Sequence, residues 1–380
     1  MAIHFTKEEF SDRKSKVIHE LKKQNLDGLL MFKQESMYWL TGYDSFGFVY
    51  FQCLVLTAKG DLILLTRAPD LRQAQNTSII KEIRIWVDKD NANPADELKN
   101  ILSELGLEKS NLGVEYEAYG LTGRNAIRLN YSLKNFATLH DKSELISYLR
   151  LIKSSNEINY IRKAGQISAQ AQKETFSLIQ EGMTENEIAK ILRTRLIEHG
   201  AEKLSLLCVV SGATPSTGIV LLPTDRVIQK GETVGFDVGV SYKGYWSDLA
   251  RTASVGPPSE ELDEFYSWMM HLRHECNLML QPNKTPAEVI GVCDDIINKR
   301  NLKRMGVGRI GHGVGLATTE YPSLAAFQDI QFKQGMVFAC NPNFANHLGF
   351  INAEDNWVIT ENKPDLLSDP VATNKILTIE

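Results

Sequence analysis

The chain has 380 residues, room for two or three units with cores of their own, and 43% apolar with 23% charged residues is an ordinary balance for a soluble globular enzyme. A net charge of −5 with both signs spread along the chain gives no electrostatic reason to expect nucleic acid or an anionic membrane as partner. Five scattered cysteines without CxxC spacing, an N-terminus without an apolar signal core and no segment near the ~20 apolar residues of a membrane span lead us to expect a cytoplasmic protein with reduced thiols.

The first predicted element is a helix over 6–25, with Thr6 and Glu9 at capping-box spacing and Phe10, Val17, Ile18 and Leu21 as its apolar stripe. Strands follow at 28–32, 49–57 and 61–66, the last two around an Ala58-Lys59-Gly60 turn. Helices near 94–105 and 121–129 then alternate with strands at 112–116 and 136–139, which argues for an α/β domain with a mixed sheet. A helical stretch at 142–151 leads to a domain boundary near 150, giving domains 1–150 and 151–380. Ser154 with Glu157, and Thr184 with Glu187, open two further helices, running to about 181 and to Gly200. Helices over 260–280 and 286–301 lie between two blocks of strands, so the second half reads as α+β.

The residues that carry chemistry begin in the first of those blocks. Val234, Phe236, Val238 and Val240 alternate with small or polar residues, and Tyr245 and Trp246 resume a strand after 241–244. A turn symmetric about those four residues sets Asp237 directly opposite Asp248. Two bare carboxylates there repel, so a proton or a divalent cation is expected between them. Downstream, Gly311-His312-Gly313-Val314-Gly315 leaves an imidazole uncrowded for metal binding, and Glu320-Tyr321-Pro322 follows. Strands over 335–342 and 350–360, paired symmetrically about His347-Leu348, put Asn341 opposite Glu354.

DVG with SD eleven residues on, then GHGVG, GMVFACNP and AEDNWVIT, resembles the pita-bread-fold metallopeptidases, which include methionine aminopeptidase, aminopeptidase P, prolidase, creatinase and ectoine hydrolase. ESMYWLTGYD at 35–44 is similar to the N-terminal domain of creatinase and prolidase. The resemblance implies an α/β N-terminal creatinase-like domain plus an α+β pita-bread C-terminal catalytic domain. It also implies one or two divalent ions (manganese, zinc, iron or cobalt) held by Asp237, Asp248, His312 and Glu354. Asn341 stands where the family has its first glutamate, an amide in place of a charged ligand. The site made by Asp237, Asp248 and Glu354 then keeps its ligands, while the one using His312 is weakened.

Two histidines of the family pattern are also replaced. One falls at Gly218 or Ile219 after Ser211-Gly212, the other at Thr319 of Thr319-Glu320-Tyr321-Pro322. Glu320 remains as a candidate proton carrier, His312 as ligand or electrophilic donor, and Thr319 and Tyr43 as candidate substrate contacts. By this resemblance the protein is a homodimeric, metal-assisted hydrolase of a C–N bond in a small molecule or dipeptide, similar to an Xaa-Pro dipeptidase, a creatinase or an ectoine hydrolase. Neither nucleic acid nor a membrane is an expected partner. The alternatives are a lyase on the same fold and a non-catalytic binding module such as the family's histone-chaperone relatives.

Overall fold

The structure, a computed structural model, describes residues 3–213, 222–302, 308–368 and 375–380. The chain divides into two units, Met1–Arg150 and Leu151–Glu380.

In the first unit the order is α1 (Lys7–Lys23), β1 (Gly28–Met31), α2 (Gln34–Thr41), β2 (Cys53–Thr57), β3 (Leu62–Arg67), α3 (Leu71–Thr77), β4 (Glu82–Trp86), α4 (Pro94–Glu104), β5 (Asn111–Val114), α5 (Gly123–Ser132), β6 (Thr138–Asp141) and α6 (Leu145–Leu149). The strands form one mixed sheet in the order β4-β3-β2-β1-β5-β6, antiparallel within β1-β2-β3 and parallel elsewhere. β1 and β2 are buried along their whole length, as strands covered on both faces are. Thr6 caps α1 by accepting from Glu9 N, and Phe10, Val17 and Leu21 are buried beneath it. Arg13 completes that stripe, donating to Trp39 O at 2.7 Å and to Glu9 at 2.8 Å while its guanidinium lies 4.0 Å from the centre of the Phe5 ring.

The short helix α2 is absent from the sequence-based expectation because residues 36–41 are all buried, which leaves no amphipathic period to read. Glu115, just past β5, anchors the chain entering α2: its carboxylate accepts from Phe32 N and Lys33 N, both at 3.0 Å, and from Ser36 Oγ at 2.6 Å.

The second unit runs α7 (Ser155–Phe176), α8 (Glu185–Glu198), β7 (Lys203–Ser211), β8 (Thr233–Tyr242), β9 (Tyr245–Val255), α9 (Glu260–Leu278), α10 (Pro286–Asn298), β10 (Gly311–Gly313), β11 (Glu320–Ser323), β12 (Val337–Cys340), β13 (Phe344–Asn346), β14 (Gly349–Ile351), β15 (Asp355–Val358), β16 (Asp365–Leu366) and β17 (Leu377–Ile379). Reciprocal capping boxes start α7 at Ser154 and Glu157, α8 at Thr184 and Glu187, and α10 at Thr285 and Glu288. One sheet has the order β17-β9-β8-β7, another β11-β10-β12-β15-β16, and β13-β14 is a separate ribbon.

Val234, Phe236, Val238 and Val240 of β8 join Ile167, Ala171, Ile188 and Leu192 of α7 and α8 in one core. The alternate residues Gly235, Asp237, Gly239 and Ser241 therefore take the other face of the sheet. A one-residue slip would send Asp237 into that core and the four apolar side chains out of it, at about 1.5–3 kcal/mol for each side chain exposed. Met269, Leu272 and Val289 of α9 and α10 share a second core with Phe338 of β12 and Ile351 of the β13-β14 ribbon. The two sheets meet where Ala250 of β9 and Glu354 exchange backbone hydrogen bonds, Glu354 N to Ala250 O at 3.0 Å and Ala250 N to Glu354 O at 3.3 Å.

The predicted register of β8 with β9 is corrected by two residues. Asp237 pairs with Ala250 and Asp248 with Gly239, so the aspartates are diagonal neighbours on one face and not direct partners. The cause is the turn: Lys243 (φ 48°) and Gly244 (φ 76°) are both left-handed and close a two-residue hairpin loop of the type whose twist matches the strands. The second register stands as the sequence suggests. Phe344 pairs with Ile351 and Cys340 with Asp355, both symmetric about His347-Leu348.

Candidate metal centre

Three of the expected ligands converge. Asp248 comes from β9, His312 from the middle of β10 and Glu354 from the residue before β15, and one ligand atom of each lies within 4.8 Å of the other two. His312 Nε2 is 3.6 Å from Asp248 Oδ2 and 3.7 Å from Glu354 Oε1. Ligand bonds of about 2.0–2.2 Å from a single ion span such separations. His312 Nδ1 lies 3.1 Å from Gly313 O, and because a carbonyl only accepts, Nδ1 carries the proton and Nε2 keeps its lone pair toward the carboxylates.

Asp237 stands beside this cluster and not within it. Its Oδ2 accepts from Asn352 Nδ2 at 3.3 Å. Asn341 Nδ2 donates to Glu354 Oε2 at 2.8 Å, so the amide in place of the family's glutamate orients the neighbouring carboxylate. The resemblance left the Asp237 side of the site intact and the His312 side weakened, yet the three groups gathered here are those on the His312 side.

Electrostatics identify what the cluster lacks. Burial pushes the Asp237 carboxyl up to about 6, against the Asn352 hydrogen bond. Burial, and then the charge of Asp237, push Asp248 well above the usual carboxylate range, with Arg309 opposing. Glu354 is likewise raised by burial and by Asp248 and Asp237, and the Asn341 hydrogen bond only partly offsets this. Burial depresses His312 to about 4, which keeps the imidazole neutral. Glu354 Oε1 is buried with no hydrogen-bond partner. A neutral imidazole lone pair, crowded carboxylates that are half-buried or buried and an orphaned carboxylate oxygen among them form a donor set suited to a divalent ion with N/O preference.

Two residues escaped the sequence reading. Asn356 clamps the Asp248 backbone, accepting from Asp248 N at 2.9 Å and donating to Asp248 O at 3.1 Å, while Asn352 holds Asp237. The N-x-E-x-N pattern at 352–356, period two along an extended segment, was the available signal. A further brace lies behind Glu354. Arg251 donates to Glu354 O at 2.6 Å, and the buried Asp355 pairs with Arg251 at 2.5 Å and with Arg273 at 2.7 Å.

The other expected residues lie elsewhere. Glu320 Oε1 accepts from Leu316 N at 2.7 Å and Ala317 N at 3.1 Å, and its Oε2 is 3.5 Å from Lys153 Nζ. Thr319 is exposed on the loop before it. Tyr43 belongs to the first unit, where it is fully buried and its hydroxyl donates to Gln52 Oε1 at 2.9 Å. Gly218 and Ile219 lie outside the described residues. His347 is 70% exposed and meets Glu261 at 2.9 Å, a surface contact. Among the described residues, no helix is long and apolar enough to cross a membrane.

Comparison with known proteins fits this geometry. Residues 159–361 match metallopeptidase family M24, and residues 13–152 match the creatinase/prolidase N-terminal domain. An uncharacterized peptidase of Staphylococcus saprophyticus is 25% identical over 353 residues, covering 93% of this chain and 97% of that protein. Among solved structures, a prolidase from Thermococcus sibiricus superimposes with a TM-score of 0.86 at 26% identity, over 97% of this chain and 99% of that one. An Xaa-Pro dipeptidase from Bacillus anthracis gives 0.85 at 24% identity, over 97% and 99%. The chain therefore belongs to metallopeptidase family M24, as a metallopeptidase-type hydrolase that joins a creatinase/prolidase N-terminal domain to a pita-bread catalytic domain.

Proposed function

We propose that the protein hydrolyses a C–N bond in a small substrate with the help of one divalent ion, and that Xaa-Pro dipeptides are the first class to test. The observation that carries this reading is the cluster of half-buried Asp248 with buried His312 and Glu354, and its orphaned Glu354 oxygen. The printed names of the structural neighbours, a prolidase and an Xaa-Pro dipeptidase, direct the choice of substrate.

Asp248, His312 and Glu354 would hold the ion, with manganese, zinc, iron and cobalt all compatible with these donors. When bound, the ion supplies Lewis acidity, lowering the pKa of a water and offsetting charge that develops on the scissile carbonyl oxygen. Asp237 lies next to the cluster and accepts hydrogen bonds or protons there, while Asn341 and Asn352 fix the carboxylates of Glu354 and Asp237. The neutral imidazole of His312 contributes its lone pair without adding positive charge.

Three carboxylates against one divalent ion leave a single negative charge, and Asn341 brings no fourth carboxylate, so the reading is one ion rather than a pair. The test is to strip the protein with chelator, add manganese and assay Xaa-Pro dipeptides. Turnover that needs the ion and disappears in Asp248→Ala is the expected result. An ion-loaded protein that turns over no Xaa-Pro dipeptide would overturn the substrate class and direct the search to cyclic amides and amidines.

A further inference from the structure

The loop between β10 and β11 ends at a glutamate whose carboxylate is engaged on both oxygens. Two backbone N–H groups point at Oε1 and an ammonium faces Oε2. So engaged on both oxygens, the carboxylate serves the loop as a hydrogen-bond acceptor. The side chains of Lys153 and Glu320 are only 3% and 9% exposed, so the pair is held away from water in the second unit.

The contacts of this loop lead back to the metal face. Gly315 O accepts from Trp246 N of β9 at 2.7 Å, and Gly315 N donates to Ala317 O at 3.1 Å. A side chain at Gly315 would collide with the Glu320 carboxylate, so glycine lets the carboxylate in against the loop. A side chain at Gly239 would collide with the methyl of Thr318. Gly239 is the register partner of Asp248 and shares its face with Asp237, so Thr318 rests on the strand face that carries both aspartates.

We propose that Glu320 is a positioning residue: paired with Lys153, it folds the 314–319 loop so that Thr318 walls the strand face bearing Asp237 and Asp248, and with it the side of the substrate pocket. The catalytic consequence rests on the hydrolase reading above; the folding of the loop does not.

The test uses three proteins, wild type, Glu320→Ala and the double variant Lys153→Met/Glu320→Gln, whose amide oxygen still accepts both N–H groups without leaving a buried charge unpaired. Hydrogen exchange at Leu316 and Ala317 is read on metal-free protein. We expect exchange at these amides to be at least about tenfold faster in Glu320→Ala and near the wild-type rate in the double variant. Turnover of an Xaa-Pro dipeptide with manganese should follow the same order, with the double variant within about tenfold of wild type and its pH profile keeping both limbs.

A proton carrier would instead cost about 10²–10⁴-fold in kcat in both variants and remove one limb of the profile. Equal exchange in wild type and Glu320→Ala would overturn the proposal. So would a double variant that keeps amide protection but loses turnover as Glu320→Ala does. If no Xaa-Pro dipeptide is turned over by wild type, the substrate class proposed above fails while the exchange experiment still decides the role of Glu320.

Discussion

The two hairpins that supply the acidic groups are built on opposite plans. β8 and β9 pair without interruption from Thr233↔Ser254 to Tyr242↔Tyr245, so the backbone alone fixes where Asp237 and Asp248 stand. The second hairpin keeps one register through β12-β15 and β13-β14, but its ladder is broken in between, at 341–343 and 352–354. The residues released there spend their side chains on the site: Asn341 on Glu354, Asn352 on Asp237. A continuous ladder thus sets the spacing of charges, and the interrupted one supplies the groups that aim them. The aspartates of the first hairpin cannot relieve their mutual repulsion by moving, so relief must come from a proton or a cation.

The largest effect expected from this contrast comes from removing a ligand. Asp248→Ala or Glu354→Ala should weaken manganese binding by more than about 100-fold, read by calorimetry, because fewer donors remain than a closed site needs. A second effect concerns the metal-free protein. With its folded carboxyl raised to about 6, Asp237 binds its proton more tightly folded than unfolded. Stability is therefore undiminished below the unfolded value of about 4, falls as pH rises through 6, and levels off above, a loss of about 3 kcal/mol. Urea unfolding in chelator at pH 4.5 and 7.5 should show about 2 kcal/mol of that fall, to which the raised Asp248 and Glu354 add in the same direction, and Asp237→Asn should make it smaller.

Third, Asn341→Ala should cost about 10–100-fold in metal affinity by releasing Glu354, whereas Asn341→Glu should increase the bound metal. No gain in elemental analysis of that variant would count against the role given to Asn341. The smallest effect tests the turn of the uninterrupted hairpin. Gly244→Ala places a side chain at φ 76° and should lower stability by about 1 kcal/mol in urea titration, without changing metal content.

Much of this could be read from the chain itself, for physical reasons that differ by residue. The capping boxes at Ser154 and Thr184 are local, so short spacing reveals them. Asp237, Asp248, His312 and Glu354 stand out because glycines and alternating apolar residues frame them. The register of β8 with β9 was hidden because its turn uses Lys243, in place of the usual asparagine, at positive φ. α2 was hidden by burial on every side. The engagement of Glu320 depends on Lys153, 167 residues away, and no local pattern encodes such a contact. The same holds for Asn356, whose role is visible only once β9 lies beside β15.

The central claim is that Asp248, His312 and Glu354 form a site that a divalent ion completes. The most direct measurement is elemental analysis of protein purified without chelator and equilibrated with manganese, zinc or iron, alongside Asp248→Ala. This account predicts about one equivalent of transition metal in the wild type and close to none in the variant. A wild-type protein that stays folded and empty, or a variant that keeps its metal, would contradict it.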